Sequence, residues 1–113
     1  MLDLAANKCT VCQVGAPKVT DEERVELTPL VPAWRTVVID GVERLERRYA
    51  FDDFAAALAF TNRVGAIAEE AGHHPALLTE YGSVTVSWWT HKIGGLHRND
   101  FVMAAKSDRI YEG

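Results

Sequence analysis

The spacing of apolar residues changes period several times along the chain, and each change marks an element. Thr20 ahead of Asp21, Glu22 and Glu23 reads T-x-x-E, a capping box with acids in its first turn, and predicts a short helix that ends before Pro29. Pro29 and Pro32 predict an extended connection. From Trp34 the β-branched run WRTVVID predicts a strand, and Asp40-Gly41 is the signal of a two-residue type I′ turn. The chain then returns as VERLERRYAF, with Leu45, Tyr49 and Phe51 on one parity and charges mostly on the other. Between Phe51 and Ala71 the period becomes helical: Phe51, Phe54, Leu58, Val64, Ile67, Ala68 and Ala71 form a stripe, with Thr61 filling its gap. Asp52 and Asp53 suit the positive end of this long core helix, and Gly72 suits the left-handed position beyond it. ALLTE and SVTVSWW predict a second hairpin about Tyr81-Gly82. Val84, Val86 and Trp88 fall on one face, and Thr85, Ser87, Trp89 and His91 on the other. A last helix is expected from near His97, with Phe101, Ala104 and Ala105 buried and Asp100 in its first turn.

The order α-β-β-α-β-β-α defines an α+β sandwich, a four-stranded antiparallel sheet with helices packed on one face. At 113 residues and 48% apolar content, the chain suits one domain over 1–113, with a polar N-terminal arm at 1–19. Open sheet edges predict self-association, as a homodimer or tetramer. A net charge of −4, spread without long runs, argues against direct nucleic-acid binding. No apolar run approaches the roughly 20 residues of a membrane span, and the N-terminus lacks signal-peptide character, so a cytoplasmic location is expected. In the arm, Cys9 and Cys12 form a C-x-x-C without the strand-to-helix context of a redox pair or a second pair of zinc ligands. Reduced, non-catalytic thiols are expected, with a metal or disulfide shared between chains as the alternative.

The candidate chemistry lies between Glu69 and Asp100. Three of the four histidines, His73, His74 and His91, fall there between the two acids. Adjacent residues in an extended segment point to opposite faces and Pro75 keeps His74 out of helical dihedrals, so His73 and His74 are expected to do different work. Glu69, one turn earlier, is placed to face His73 if the helix end turns tightly, and His91 shares a face with Trp89. Zinc is disfavoured, since the histidines lack the usual ligand spacing. Structural readings compete: a His-His pair is commonly a surface or capping feature, and Trp88 and Trp89 read as packing residues. His97 reads as a poor cap in a surface loop.

The pattern Glu69-x3-His73-His74-Pro75-x5-Tyr81-x9-His91-x8-Asp100 resembles the signature of the pterin-4a-carbinolamine dehydratase family, also known as dimerisation cofactors of a homeodomain transcription factor. The resemblance runs from about Trp34 to the end and includes Phe51-x-x-Phe54, Thr90-His91 and Gly95-Leu96. It implies dehydration of 4a-hydroxytetrahydropterin to quinonoid dihydropterin, without a metal or redox cofactor, in support of aromatic amino-acid hydroxylation. The partners it implies are a pterin substrate and, functionally, phenylalanine hydroxylase. It further implies that His73 and His91 are acid and base and that His74 holds the substrate beside Pro75. Glu69 and Asp100 would orient the imidazoles, and Trp34 would wall a pocket on which the histidines converge. The chain departs from the animal form at Gly72, where that form has an acid, at His97, where it has a serine, and at Arg98-Asn99. The alternative within the same fold is a non-catalytic dimerising partner in transcription or assembly.

Overall fold

The computed structural model describes residues 4–6 and 18–113, so the Cys9/Cys12 expectation lies outside the described residues. The predicted order of helices and strands is present: α1 (Asp21–Leu27), β1 (Arg35–Ile39), β2 (Val42–Ala50), α2 (Phe54–Ala71), β3 (Ala76–Glu80), β4 (Ser83–Trp88) and α3 (Arg98–Glu112). The strands form one antiparallel sheet in the order β1-β2-β4-β3, which leaves β1 and β3 as edges. Asp40 and Gly41 both have positive φ, 54° and 77°, as a type I′ turn requires. Leu45, Tyr49, Val84, Val86 and Trp88 face the helices and join Ala57, Phe60, Val64, Ala68, Phe101 and Ala104 in one core.

Three expectations change. Pro29 does not lie in an extended connection: Thr28–Leu30 continue α1 as a 3-10 turn with Pro29 in its first positions. The fixed φ of proline suits the first turn of a helix, and Leu27 and Val31, both buried, anchor the segment on either side. The long helix begins at Phe54, not Phe51, because Asp53 is its N-cap and its side chain accepts from Ala56 N at 2.8 Å. The buried stripe of α2 is Ala57, Phe60, Val64 and Ala68, whereas Phe54 and Leu58 are exposed at 45% and 43% and Ala71 is exposed. At about 100° per residue Leu58 lies about 120° around the helix from Val64, off the face that the C-terminal half of the helix commits to the sheet.

A polar centre under β2 ties the sheet to α3. Asp108 Oδ1 accepts from Tyr49 OH at 2.6 Å, Arg47 Nη1 at 2.7 Å and Trp34 Nε1 at 3.0 Å. Burial, and then the hydrogen bond to Asp108, push the Tyr49 hydroxyl's pKa well above the ordinary tyrosine value. An unfolded tyrosine ionises near pH 10, whereas the folded chain keeps the Tyr49 proton beyond that point. Above about pH 10 the unfolded state therefore binds fewer protons, and stability falls by about 1.4 kcal/mol per pH unit from this group alone. Urea unfolding on both sides of that pH is expected to show the slope in the wild type, flattened by one proton's worth in Tyr49→Phe. Equal slopes in the two proteins would show that Tyr49 ionises in the native state.

Candidate active site

The end of α2 delivers the first two histidines. Gly72 takes the left-handed conformation at φ 65°, Gly72 N–H donates to Glu69 O at 3.2 Å, and His73 N–H donates to Ala68 O at 3.1 Å. Together these bonds form a Schellman motif, which turns the chain sharply and drives His73 inward while His74 faces out. His73 is 8% exposed and stacks on Trp88, with ring centroids 5.6 Å apart and planes 8° from parallel.

Asp100, fully buried, faces His73 from the first turn of α3. His73 Nε2 donates to Asp100 Oδ1 at 2.6 Å, while Thr90 Oγ1 and His97 N–H donate to Asp100 Oδ2, each at 2.9 Å. His97 is the N-cap of α3, contrary to the expectation of a poor cap. Its Nδ1 accepts from Asn99 N–H at 3.1 Å while the Asp100 carboxylate returns to His97 N–H, so an imidazole replaces the usual hydroxyl in the capping box.

Glu69 does not face His73. The left-handed residue rotates the chain so that His74 Nε2 meets Glu69 Oε1 at 2.5 Å, an exposed pair. His91 opens a 3-10 turn, His91–Ile93, in a loop closed by Thr90 N–H donating to Gly95 O at 2.9 Å. Its ring lies 4.4 Å from Trp89, as their shared parity predicted, and its Nε2 donates to the His74 carbonyl at 3.1 Å. Trp88 closes β4 on the helix side and Trp89, the next residue, turns to the open face, so His73 approaches the strand end from the helix side and His91 from the open side, with the His74 backbone between them. The expected convergence of the three rings on one pocket walled by Trp34 is therefore not what this chain forms, because successive residues of an extended segment face opposite sides of the sheet.

These bonds assign the imidazole nitrogens. A carboxylate and a carbonyl can only accept, so Nε2 carries hydrogen on all three rings, and in each neutral ring the lone pair is on Nδ1. Pro75 follows directly and leads into β3. Trp34 does not join the group within this chain. It is buried against Tyr49 and bonded to Asp108, two turns along α3 from Asp100 and beside β1, three strand spacings or about 14 Å from β3. An aromatic residue was expected near the site, but its place is taken by Trp88 and Trp89. Thr90 was legible only as half of Thr90-His91; its bond to Asp100 required the α3 register.

The described arrangement is an α+β sandwich that carries a hydrogen-bonded histidine and carboxylate cluster at one sheet end, suited to moving protons. The family model for pterin 4 alpha carbinolamine dehydratase matches residues 17–110, and the chain belongs to that family. A protein of Nitrosococcus oceani named as a candidate pterin-4-alpha-carbinolamine dehydratase is 57% identical over 110 residues, covering 97% of each chain. One of Gloeobacter violaceus with the same naming is 61% identical over 109 residues, covering 96% of this chain and 94% of its own. The crystal structure of a transcriptional coactivator/pterin dehydratase from Brucella melitensis superposes with a TM-score of 0.73 at 31% identity, covering 83% of this chain and 98% of that one. A pterin dehydratase-like protein described as a RuBisCO assembly factor in the alpha-carboxysome superposes with a TM-score of 0.58 at 25% identity, covering 69% and 88%.

Removing the Asp100 carboxylate strands three donors in the interior. Asp100→Ala is expected to cost about 3 kcal/mol, whereas Glu69→Ala, at the exposed pair, should stay within about 0.5 kcal/mol. Urea midpoints for the two variants check this, and equal shifts would remove Asp100 from its organising role.

Proposed function

We propose that this protein dehydrates 4a-hydroxytetrahydropterin to quinonoid dihydropterin and water by histidine acid/base catalysis. In that reaction an acid protonates the leaving hydroxyl as the C4a–O bond breaks. A base removes the ring N–H proton, and the electron pair released forms the C=N bond. The step is redox-neutral, so proton donors and acceptors supply all it needs. The observation that supports this reading is that three imidazoles at one end of the sheet are each held through Nε2 by an acceptor, Asp100, Glu69 or the His74 carbonyl, which in a neutral ring puts the lone pair on Nδ1.

His73 and His91 are assigned the proton transfers. His73 is braced by Trp88 and by a buried carboxylate, and His91 by Trp89 and the His74 carbonyl. His74, exposed and held by Glu69, is assigned to gripping the substrate beside Pro75. Membership of the dehydratase family and the names of its close relatives support the activity. The reading extends to pterin recycling in the cytoplasm for an aromatic amino-acid hydroxylase such as phenylalanine hydroxylase. It extends also to self-association, for which the edges β1 and β3, unpaired among the described residues, and the exposed Val38 and Leu78 give grounds.

The test follows decay of a 4a-carbinolamine generated by phenylalanine hydroxylase, with and without this protein. His73→Ala and His91→Ala are each expected to lower kcat by about 10- to 1,000-fold. His74→Ala should instead raise KM and leave kcat nearly intact, the mark of an interaction equal in ground and transition states. Wild-type turnover in both the His73 and His91 variants would sink the assignment. If the wild type itself did not accelerate decay, the non-catalytic partner reading would take its place. Sedimentation at micromolar concentration is expected to show a homodimer or tetramer, and a single-chain mass would end the self-association reading.

A further inference from the structure

We propose that Arg44 is a positioning residue for His91, acting through Trp89; its catalytic consequence rests on the dehydratase reading above, whereas its geometric consequence does not. Leu45 pairs with Trp88 across β2 and β4, so continuing the register sets Arg44 opposite Trp89 on the open face of the sheet. The Arg44 guanidinium carbon lies 3.9 Å from the centroid of the Trp89 ring, and that ring lies 4.4 Å from His91 at 33°. His91 is thus held at two places: its face lies against the indole, and its Nε2 donates to the His74 carbonyl. Those two restraints together set where Nδ1 points.

The neighbouring carboxylates do not account for Arg44's position. Glu43 is paired with Arg24, and Glu46 with Arg35 and Ser87. Arg44 Nε is buried without a hydrogen-bond partner among the described residues, an arrangement that costs free energy unless another attraction offsets it. The face of the indole supplies that attraction, since a planar guanidinium both stacks on the ring and is drawn to its negative face. The cation therefore clamps the indole, and the indole in turn backs the imidazole. Trp89 and Arg44 are at the site because the hairpin register brings them there, although they lie forty-five residues apart in sequence.

The experiment compares wild type, Arg44→Met and Arg44→Lys by two readouts. The first, independent of any activity, is the NMR ring-current displacement of the His91 ring protons caused by Trp89, identified by its loss in Trp89→Leu. Arg44→Met keeps much of the apolar stem and removes the cation, so the displacement is expected to shrink; Arg44→Lys should recover part of it. The second readout is carbinolamine dehydration at a temperature where all variants are folded. Arg44→Met is expected to lower kcat by about 2- to 30-fold at unchanged KM, the range set by a cation on an aromatic face, with partial recovery in Arg44→Lys. An unchanged His91 displacement in Arg44→Met overturns the proposal, as does a lysine variant no better than methionine, which would assign the effect to packing. A rise in KM at constant kcat also overturns it, because Arg44 would then be touching substrate. If the wild type shows no turnover, the dehydratase reading fails and the NMR comparison alone decides the positioning.

Discussion

A carboxylate with no solvent exposure has to be given hydrogen-bond donors by the protein, and at Asp100 this requirement organises the histidine-bearing end of the molecule. The three donors come from three places: His73 just beyond α2, Thr90 just beyond β4, and the backbone of His97 at the start of α3. Meeting them together fixes the end of one helix, the end of one strand and the beginning of another helix relative to each other. The same carboxylate closes the capping box of α3, so the helix start and the orientation of His73 are one structural event. Trp88 completes the arrangement by stacking on the imidazole from the core side, and its indole N–H is in turn satisfied by Ser107 Oγ at 3.2 Å.

Two carboxylates eight residues apart on α3 therefore do different work. Asp108 gathers three donors of the far half of the sheet, Tyr49, Arg47 and Trp34, and none of the imidazoles. Asp100 gathers an imidazole, a hydroxyl and a backbone amide. The difference comes from what each helical turn faces, because α3 crosses the sheet and presents its first turn to the end of β4 and its later turns to β2. The helix thus couples packing of the whole sheet to alignment of the site, and disruption of either centre would be felt at both through a single rigid element.

The relatives and structural neighbours of this chain carry names as different as dehydratase, transcriptional coactivator and RuBisCO assembly factor. A common fold does not settle activity; the site does. Here the site's distinguishing chemistry is the set of donors at Nε2 and the aromatic backing of two imidazoles. The departures from the animal form are also intelligible locally. Gly72 supplies the left-handed residue of a Schellman motif, and His97 caps α3 with a ring nitrogen in place of a hydroxyl.

The order of elements and the sheet's antiparallel character were readable in the chain because they depend on local chemistry: Thr20 as a cap, Asp40-Gly41 as a turn, Gly72 as a helix end, and the switch between two-residue and helical periods. That His73, His74, His91 and Asp100 come to one end of the sheet was also visible as a spaced pattern, but their division between its two faces was not. Other features were beyond reach because they depend on which surfaces meet. The buried face of α2 was settled by packing against the sheet, which chose Ala57 and Phe60 over Phe54 and Leu58. Glu69 was redirected from His73 to His74 by one left-handed residue, and Trp34 was taken to Asp108 by the position of β1 at the sheet edge. Residue type and local spacing determined what this chain can form and which groups can carry protons. Only the tertiary structure decided which nitrogen each proton occupies and which aromatic ring backs it, because those depend on contacts between residues far apart in the chain.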